Sequence, residues 1–161
     1  AVYAYASEDI AWWADELGRD DLGAGAFGEN LTLAGVDPTD AVVGTRWRVG
    51  DAELRVTGPR IPCHKLAWRM GDPRFGARFA AAGRIGAYLA IEVPGLVGAG
   101  DLVEVVAVPD HGVTVRDVSN AYHRLGPDDP ATRRALLERI VAAPEMHPTA
   151  VAFASARLGA H

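Results

Sequence analysis

Thr57-Gly58-Pro59-Arg60-Ile61-Pro62-Cys63-His64-Lys65-Leu66 carries the only cysteine and the only lysine of the chain. It lies where strand-like sequence gives way to helix-like sequence. Two prolines fix φ on either side of the Arg60-Ile61 pair and disfavour helix before Pro62. The backbone is therefore expected to stay extended up to Pro62, with a helix starting near His64 and Cys63 in its first turn. Unpaired N–H groups and the positive end of the helix dipole favour an anion at such a place, so the thiolate form of Cys63 is favoured there. Arg60, His64 and Lys65 add donors close by. The opposing reading is that a lone cysteine is a small buried hydrophobe with no chemical task. The residues alone leave both open.

Outward from this stretch, the chain reads as short strands with glycine corners, followed by helices. Upstream, Thr45 to Val49 and Glu53 to Thr57 alternate around a Gly50-Asp51 turn, which is a hairpin pattern. Further back, Val2 to Tyr5 reads as a strand. Ser7 is the expected N-cap of a helix over about 8–17, with Glu8 and Asp9 in its first turn and Gly18 closing it. Trp12 and Trp13 on that helix are read as core packing rather than as a stacking platform for a base. Residues 19–28 form a loop with Gly23, Gly25 and Gly28, followed by Glu29 and Asn30. Those two side chains either face a ligand or tie down their own turn.

Downstream, Leu66, Ala67 and Met70 suit a short helix that stops at Gly71. Asp72-Pro73 then reads as cap and first turn of a helix over about 73–82, with Phe75 and Phe79 one turn apart. Tyr88 to Val93 and Leu102 to Val108 read as strands separated by Pro94-Gly95 and Gly98 to Asp101. From Thr114 the pattern changes to three helices: one capped by Thr114 and running to about Leu125, one from Asp129-Pro130 through Val141, and one from Pro148 to about Leu158. The boundary is placed near His111-Gly112.

At 161 residues the chain has enough length for one domain with a real core and a small appendage. Its formal net charge of −5 argues against a general nucleic-acid binder. No apolar run approaches the length of a membrane span. A single cysteine makes no internal disulfide and is too few for a usual structural zinc site, so a reduced, cytoplasmic setting is expected. The chain begins at Ala1 inside a strand pattern, so further strands are expected upstream.

Other chemistry is weakly signalled. His111, His123 and His147 have no metal-ligand spacing, and none is singled out as a base for Cys63. His161 is terminal and expected to be mobile. No phosphate-binding glycine loop of a nucleotide-binding type is found. Arg133 and Arg134 read as the wet face of a helix.

Taken together, several segments resemble the MOSC family, the domains related to the C-terminal part of molybdenum-cofactor sulfurase. They are Gly28-Glu29-Asn30-Leu31-Thr32, Val43-Gly44 with the Arg46 to Val49 strand, Pro59-Arg60-Ile61-Pro62-Cys63-His64-Lys65-Leu66, Gly86-Ala87-Tyr88-Leu89, and Gly98-Ala99-Gly100-Asp101. The order and rough spacing match over about residues 1–110. The last third resembles the three-helix extension of the branch that includes bacterial hydroxylaminopurine reductases. The resemblance implies a mainly β fold with α elements: a MOSC-type β-barrel with peripheral helices over 1–110, and a small helical extension over 111–161. Relatives carry further strands and a histidine-glycine-glycine segment before the position of Ala1.

The resemblance also implies the pterin-based molybdenum cofactor (molybdopterin), independent of pyridoxal phosphate. Cys63 would contact the metal or carry sulfur to it, Arg60 and Lys65 would meet the cofactor phosphate, and Glu29, Asn30 and His64 would line the same pocket. The expected function is a molybdenum-dependent oxidoreductase that reduces N-hydroxylated small molecules such as hydroxylaminopurines. The expected partners are an electron-donor reductase or a cofactor-sulfurating protein, with a homodimer as a further option. No nucleic acid or membrane is expected as a partner. The alternatives are a non-catalytic carrier with a persulfide on Cys63, and a cysteine hydrolase whose histidine lies far away in sequence.

Overall fold

The structure, a computed structural model, describes residues 1–126 and 129–159; His161 lies outside the described residues. Six strands form one mixed sheet: β1 (Val2–Ala6), β2 (Leu31–Leu33), β3 (Arg46–Val49), β4 (Ala52–Pro59), β5 (Ala87–Val93) and β6 (Val103–Ala107), in the order β2-β1-β5-β4-β3-β6. β1 and β2 are parallel and the other neighbours antiparallel. The sheet curls into a half-barrel, as the family resemblance implies. Helices α1 (Ser7–Leu17), α2 (His64–Met70) and α3 (Phe75–Ala82) attach around it, and α4 (Val115–His123), α5 (Pro130–Ala142) and α6 (Pro148–Leu158) follow it. No helix among the described residues is long and apolar enough to cross a membrane.

The half-barrel follows from the alternation in the sequence. Along β4, Ala52, Leu54, Val56 and Gly58 are buried and the residues between them half-buried. Leu54 pairs with Trp47 and Val56 with Leu89, which stacks one apolar face across three strands. A second apolar layer lies between the other end of the sheet and the first helices. There Tyr5, Trp13, Phe27, Phe75 and Phe79 are buried, and Phe79 lies 6.0 Å from Tyr5, Trp13 and Phe75 and 5.9 Å from Phe27, centroid to centroid. Trp13 belongs to this core and donates its indole N–H to the Tyr5 hydroxyl at 3.0 Å. Trp12 is half-buried under the Arg84 guanidinium.

Helix ends were legible with small differences. Thr114 caps α4 in a reciprocal pair with Asp117, and Asp129 caps α5. α4 stops at Arg124, short of Leu125, because Arg124 turns left-handed. Ser7 is not the cap of α1. Ala6 holds that position, and the Ser7 hydroxyl turns to the Glu8 carboxylate. α3 starts at Phe75 after Arg74, while Asp72 accepts the Arg74 amide in the preceding turn. β2 was not anticipated: three residues are too few to show an alternation, and its existence depends on pairing with β1.

Two contacts position the site. At Gly86, φ is +65° and a Cβ would sit 2.4 Å from the Ala4 carbonyl, so only glycine lets β5 enter beside β1 there. Its amide donates to the buried Thr39 hydroxyl. Arg116 of α4 reaches Asp40, Asp37 and the Gly83 carbonyl, fastening the C-terminal helices to the loop before β3. Buried residues run continuously from Trp13 through Val113, Val115 and Ile140 to Ala154. On the open side of the half-barrel, Ile91, Val93, Leu96, Leu102 and Val105 are exposed.

The aromatic layer sets a test of the fold. Phe79→Ala is expected to cost about 3–5 kcal/mol in urea denaturation, the range for losing a buried phenyl ring. A loss under about 1 kcal/mol would contradict a packed layer there.

Candidate functional site

Cys63 is the N-cap of α2, in extended conformation at φ −124° and ψ 168°. Its carbonyl accepts the Leu66 amide at 3.0 Å, and its side chain is exposed. The sequence placed it in the first helical turn. One position earlier, its sulfur lies beside the amides of that turn; the Leu66 N–H already donates to the Cys63 carbonyl, and the sulfur makes no side-chain cap hydrogen bond. The thiol is held below its ordinary pKa of 9.0, first by the Leu66 amide, then by the Lys65 amide and by hydrogen bonding and charge from Arg60; burial opposes the shift weakly. Cys63 is exposed, so the reading of it as a buried hydrophobe does not hold.

Arg60 is buried. Its guanidinium donates to the Phe27 carbonyl and lies 4.8 Å over the Tyr3 ring. Tyr3 in turn donates its hydroxyl to the Ile85 carbonyl at 2.8 Å, and its own ionisation is pushed up by burial. The glycine loop and the Cys63 segment are thus joined through one side chain.

Glu29 serves that loop. Its carboxylate accepts the Gly25 amide at 2.6 Å, the Phe27 amide at 3.0 Å and the Thr32 hydroxyl at 3.0 Å. Of the two readings of Glu29, the structure has the one in which it ties its own turn, and its effect on the site is to fix the Phe27 carbonyl that Arg60 meets. Asn30 points elsewhere. It accepts the Tyr3 amide at 2.8 Å and lines a cleft on the open side of the half-barrel with Leu54 and Ile91. Glu29 is taken up by its own loop and Asn30 by the Tyr3 amide, so the two do not share one pocket wall.

His64 and Lys65 are exposed on the first turn of α2. Among the described residues neither side chain has a hydrogen-bond or ion-pair partner. His111, His123 and His147 are not among the groups acting on the Cys63 sulfur. His111 accepts the Val113 amide, His147 caps α6, and burial lowers the pKa of His123 on α4. Among the described residues, no histidine distant in sequence acts on the Cys63 sulfur as the hydrolase reading requires. No cluster of three His, Cys, Asp or Glu that could hold a metal ion occurs among the described residues. Tyr3 and the Phe27 carbonyl were missed from sequence. The alternation of β1 could have put Tyr3 inward, but its meeting with Arg60 is a long-range contact.

Alkylation of Cys63 by iodoacetamide is expected to titrate with a midpoint below the ordinary thiol range of about 8–9. In Arg60→Gln the midpoint should rise yet remain depressed, since the Leu66 and Lys65 amides stay. A wild-type midpoint at or above the ordinary range, or no change in the variant, would contradict this electrostatic account.

The family model described as MOSC domain matches residues 1–104. Protein YflK of Bacillus subtilis, described as uncharacterized, is 32% identical over 76% of this chain and 56% of its own length. Protein YiiM of Escherichia coli is 32% identical over 80% of this chain and 58% of its own length. A protein of Gibberella moniliformis described as a reductase is 32% identical over 68% of this chain, which spans only 20% of that protein. The crystal structure of YiiM from Geobacillus stearothermophilus superposes with a TM-score of 0.87 at 27% identity, covering 98% of this chain and 78% of that one. The chain thus spans little more than half the length of YflK and YiiM, and by the match of the family model over residues 1–104 it belongs to the MOSC domain family.

Proposed function

We propose that Cys63 is the protein's sulfur contact to the metal of a molybdenum cofactor, and that the reaction served is the reduction of N-hydroxylated compounds such as hydroxylaminopurines. The observation that supports this reading is the exposed Cys63 sulfur, whose pKa is lowered by the Leu66 and Lys65 amides and by Arg60. An exposed, deprotonated sulfur is a soft donor of the kind that suits such a metal. The donor set fits the group: one soft ligand, a guanidinium beside it, and the Lys65 ammonium and His64 ring on the same exposed turn for a phosphate. When bound, the cofactor would supply two-electron redox chemistry.

The chain's own residues do the rest. The Leu66 and Lys65 amides and Arg60 lower the pKa of the sulfur, Arg60 ties its segment to the glycine loop through the Phe27 carbonyl, and Glu29 keeps that loop shaped. Converting an N–OH group to N–H consumes two electrons and two protons and releases water. The electrons are supplied by a donor reductase, in line with the relative that is itself described as a reductase. Cytoplasmic placement belongs to the same reading.

Wild type and Cys63→Ser, made in a host that synthesises the cofactor, should differ in bound molybdenum, with the variant losing most of it. Equal molybdenum in both would remove the ligand role. The same exposure of sulfur favours a second reading, a carrier of sulfur or cofactor. It predicts a mass increase of one sulfur atom on Cys63 after incubation with a sulfur donor; free thiol alone would count against it.

A further inference from the structure

Beside the Cys63 segment lies a cleft of about 240 Å³ between the end of β4, Tyr88 and the C-terminal helices. Its wall is mostly apolar: Pro59, Ile61, Tyr88, Val118, Tyr122 and Ala150. We propose that this cleft holds the organic part of the substrate, a single uncharged planar heteroaromatic ring system. The proposal rests on the reductase reading and assigns its substrate subsite.

Four observations carry it. First, the cleft is lined by chain neighbours of the site residues. Ile61 lines it and is two residues from Cys63, so their Cα atoms are within about 7.6 Å along the chain. Tyr88 lines it and lies 5.5 Å from the Tyr3 ring on which Arg60 sits. Second, two aromatic rings bound it and both are braced from behind, Tyr88 by Tyr3 and Tyr122 by Phe153 at 4.4 Å. Braced rings offer faces for stacking at little entropic cost. Third, no charged side chain lines it. Its polar groups are Thr57, His147 and Thr149. His147 accepts the Thr149 amide on Nδ1, so the neutral ring carries its proton on Nε2 as a donor. The Thr57 hydroxyl donates to the Tyr88 carbonyl at 2.9 Å and keeps its acceptor capacity. A donor and an acceptor suit the edge of a nitrogen heterocycle. Fourth, the volume is below the range of about 300–1,000 Å³ of pockets for larger ligands, which fits one fused ring. The adjoining cavity, past Thr57 and His147, carries the Glu145 carboxylate, and its Arg55 is already paired with Glu92 at 2.7 Å. A phosphate on the ring would meet that carboxylate, so a free base is favoured over a nucleotide.

The test is equilibrium binding of 6-hydroxylaminopurine, adenine and adenosine 5′-monophosphate to the 161-residue chain without cofactor. Wild type and Cys63→Ser should bind the two bases equally well, and the monophosphate more weakly. Thr149→Trp, which fills the cleft from an exposed position, and Tyr122→Ala, which removes a wall, should each weaken base binding by about tenfold. No binding of either base by wild type, or unchanged binding in both cleft variants, would overturn the proposal. Such a failure leaves the metal reading standing, because molybdenum content is measured without the base; loss of the metal reading leaves base binding unaffected, because Cys63→Ser retains the cleft.

Discussion

The site depends on one buried cation. The Arg60 guanidinium is removed from water, and among the described residues it has no carboxylate partner. A buried charge of this kind is costly unless its hydrogen bonds and countercharge are supplied. Here the Phe27 carbonyl and the Tyr3 ring face supply part of that. Arg60 in turn adds to the lowering of the Cys63 thiol pKa, after the larger effect of the Leu66 and Lys65 amides. The place of the guanidinium also explains the role of Glu29. By accepting two amides of its own loop, Glu29 sets the Phe27 carbonyl at the place where Arg60 needs an acceptor.

The fold delivers these groups from distant parts of the chain. β1 brings Tyr3, the loop before β2 brings Phe27 and Glu29, and the extended segment after β4 brings Arg60 and Cys63. The prolines give that segment its direction. On the other side, Arg116 binds α4 to the loop around Asp37 and Asp40, and the shared core carries the remaining helices against β4. The C-terminal helices thus flank the same segment that carries Cys63, and Thr57, Gly58, Pro59 and Ile61 of that segment line the cleft.

Much of this was legible because it is local. Strand alternation in β4, the Thr114 and Asp129 caps and the proline-flanked cysteine are each signalled within a few residues of their place. What escaped was set by tertiary contact. β2 exists only as a partner of β1, and Ser7 yielded its cap position to Ala6. Tyr3 matters through Arg60, fifty-seven positions away. The likeness of Glu29 and Asn30 as paired polar groups also misled, since one is bonded to its own loop and the other to β1. The proposed role of Cys63 as a metal contact came from the family resemblance; its electrostatics came from the residues.

The most direct measurement is molybdenum K-edge X-ray absorption on the cofactor-loaded protein, comparing wild type with Cys63→Ser reconstituted to the same metal content. The account predicts one fewer sulfur at bonding distance from molybdenum in the variant. An identical sulfur shell in both proteins would contradict it.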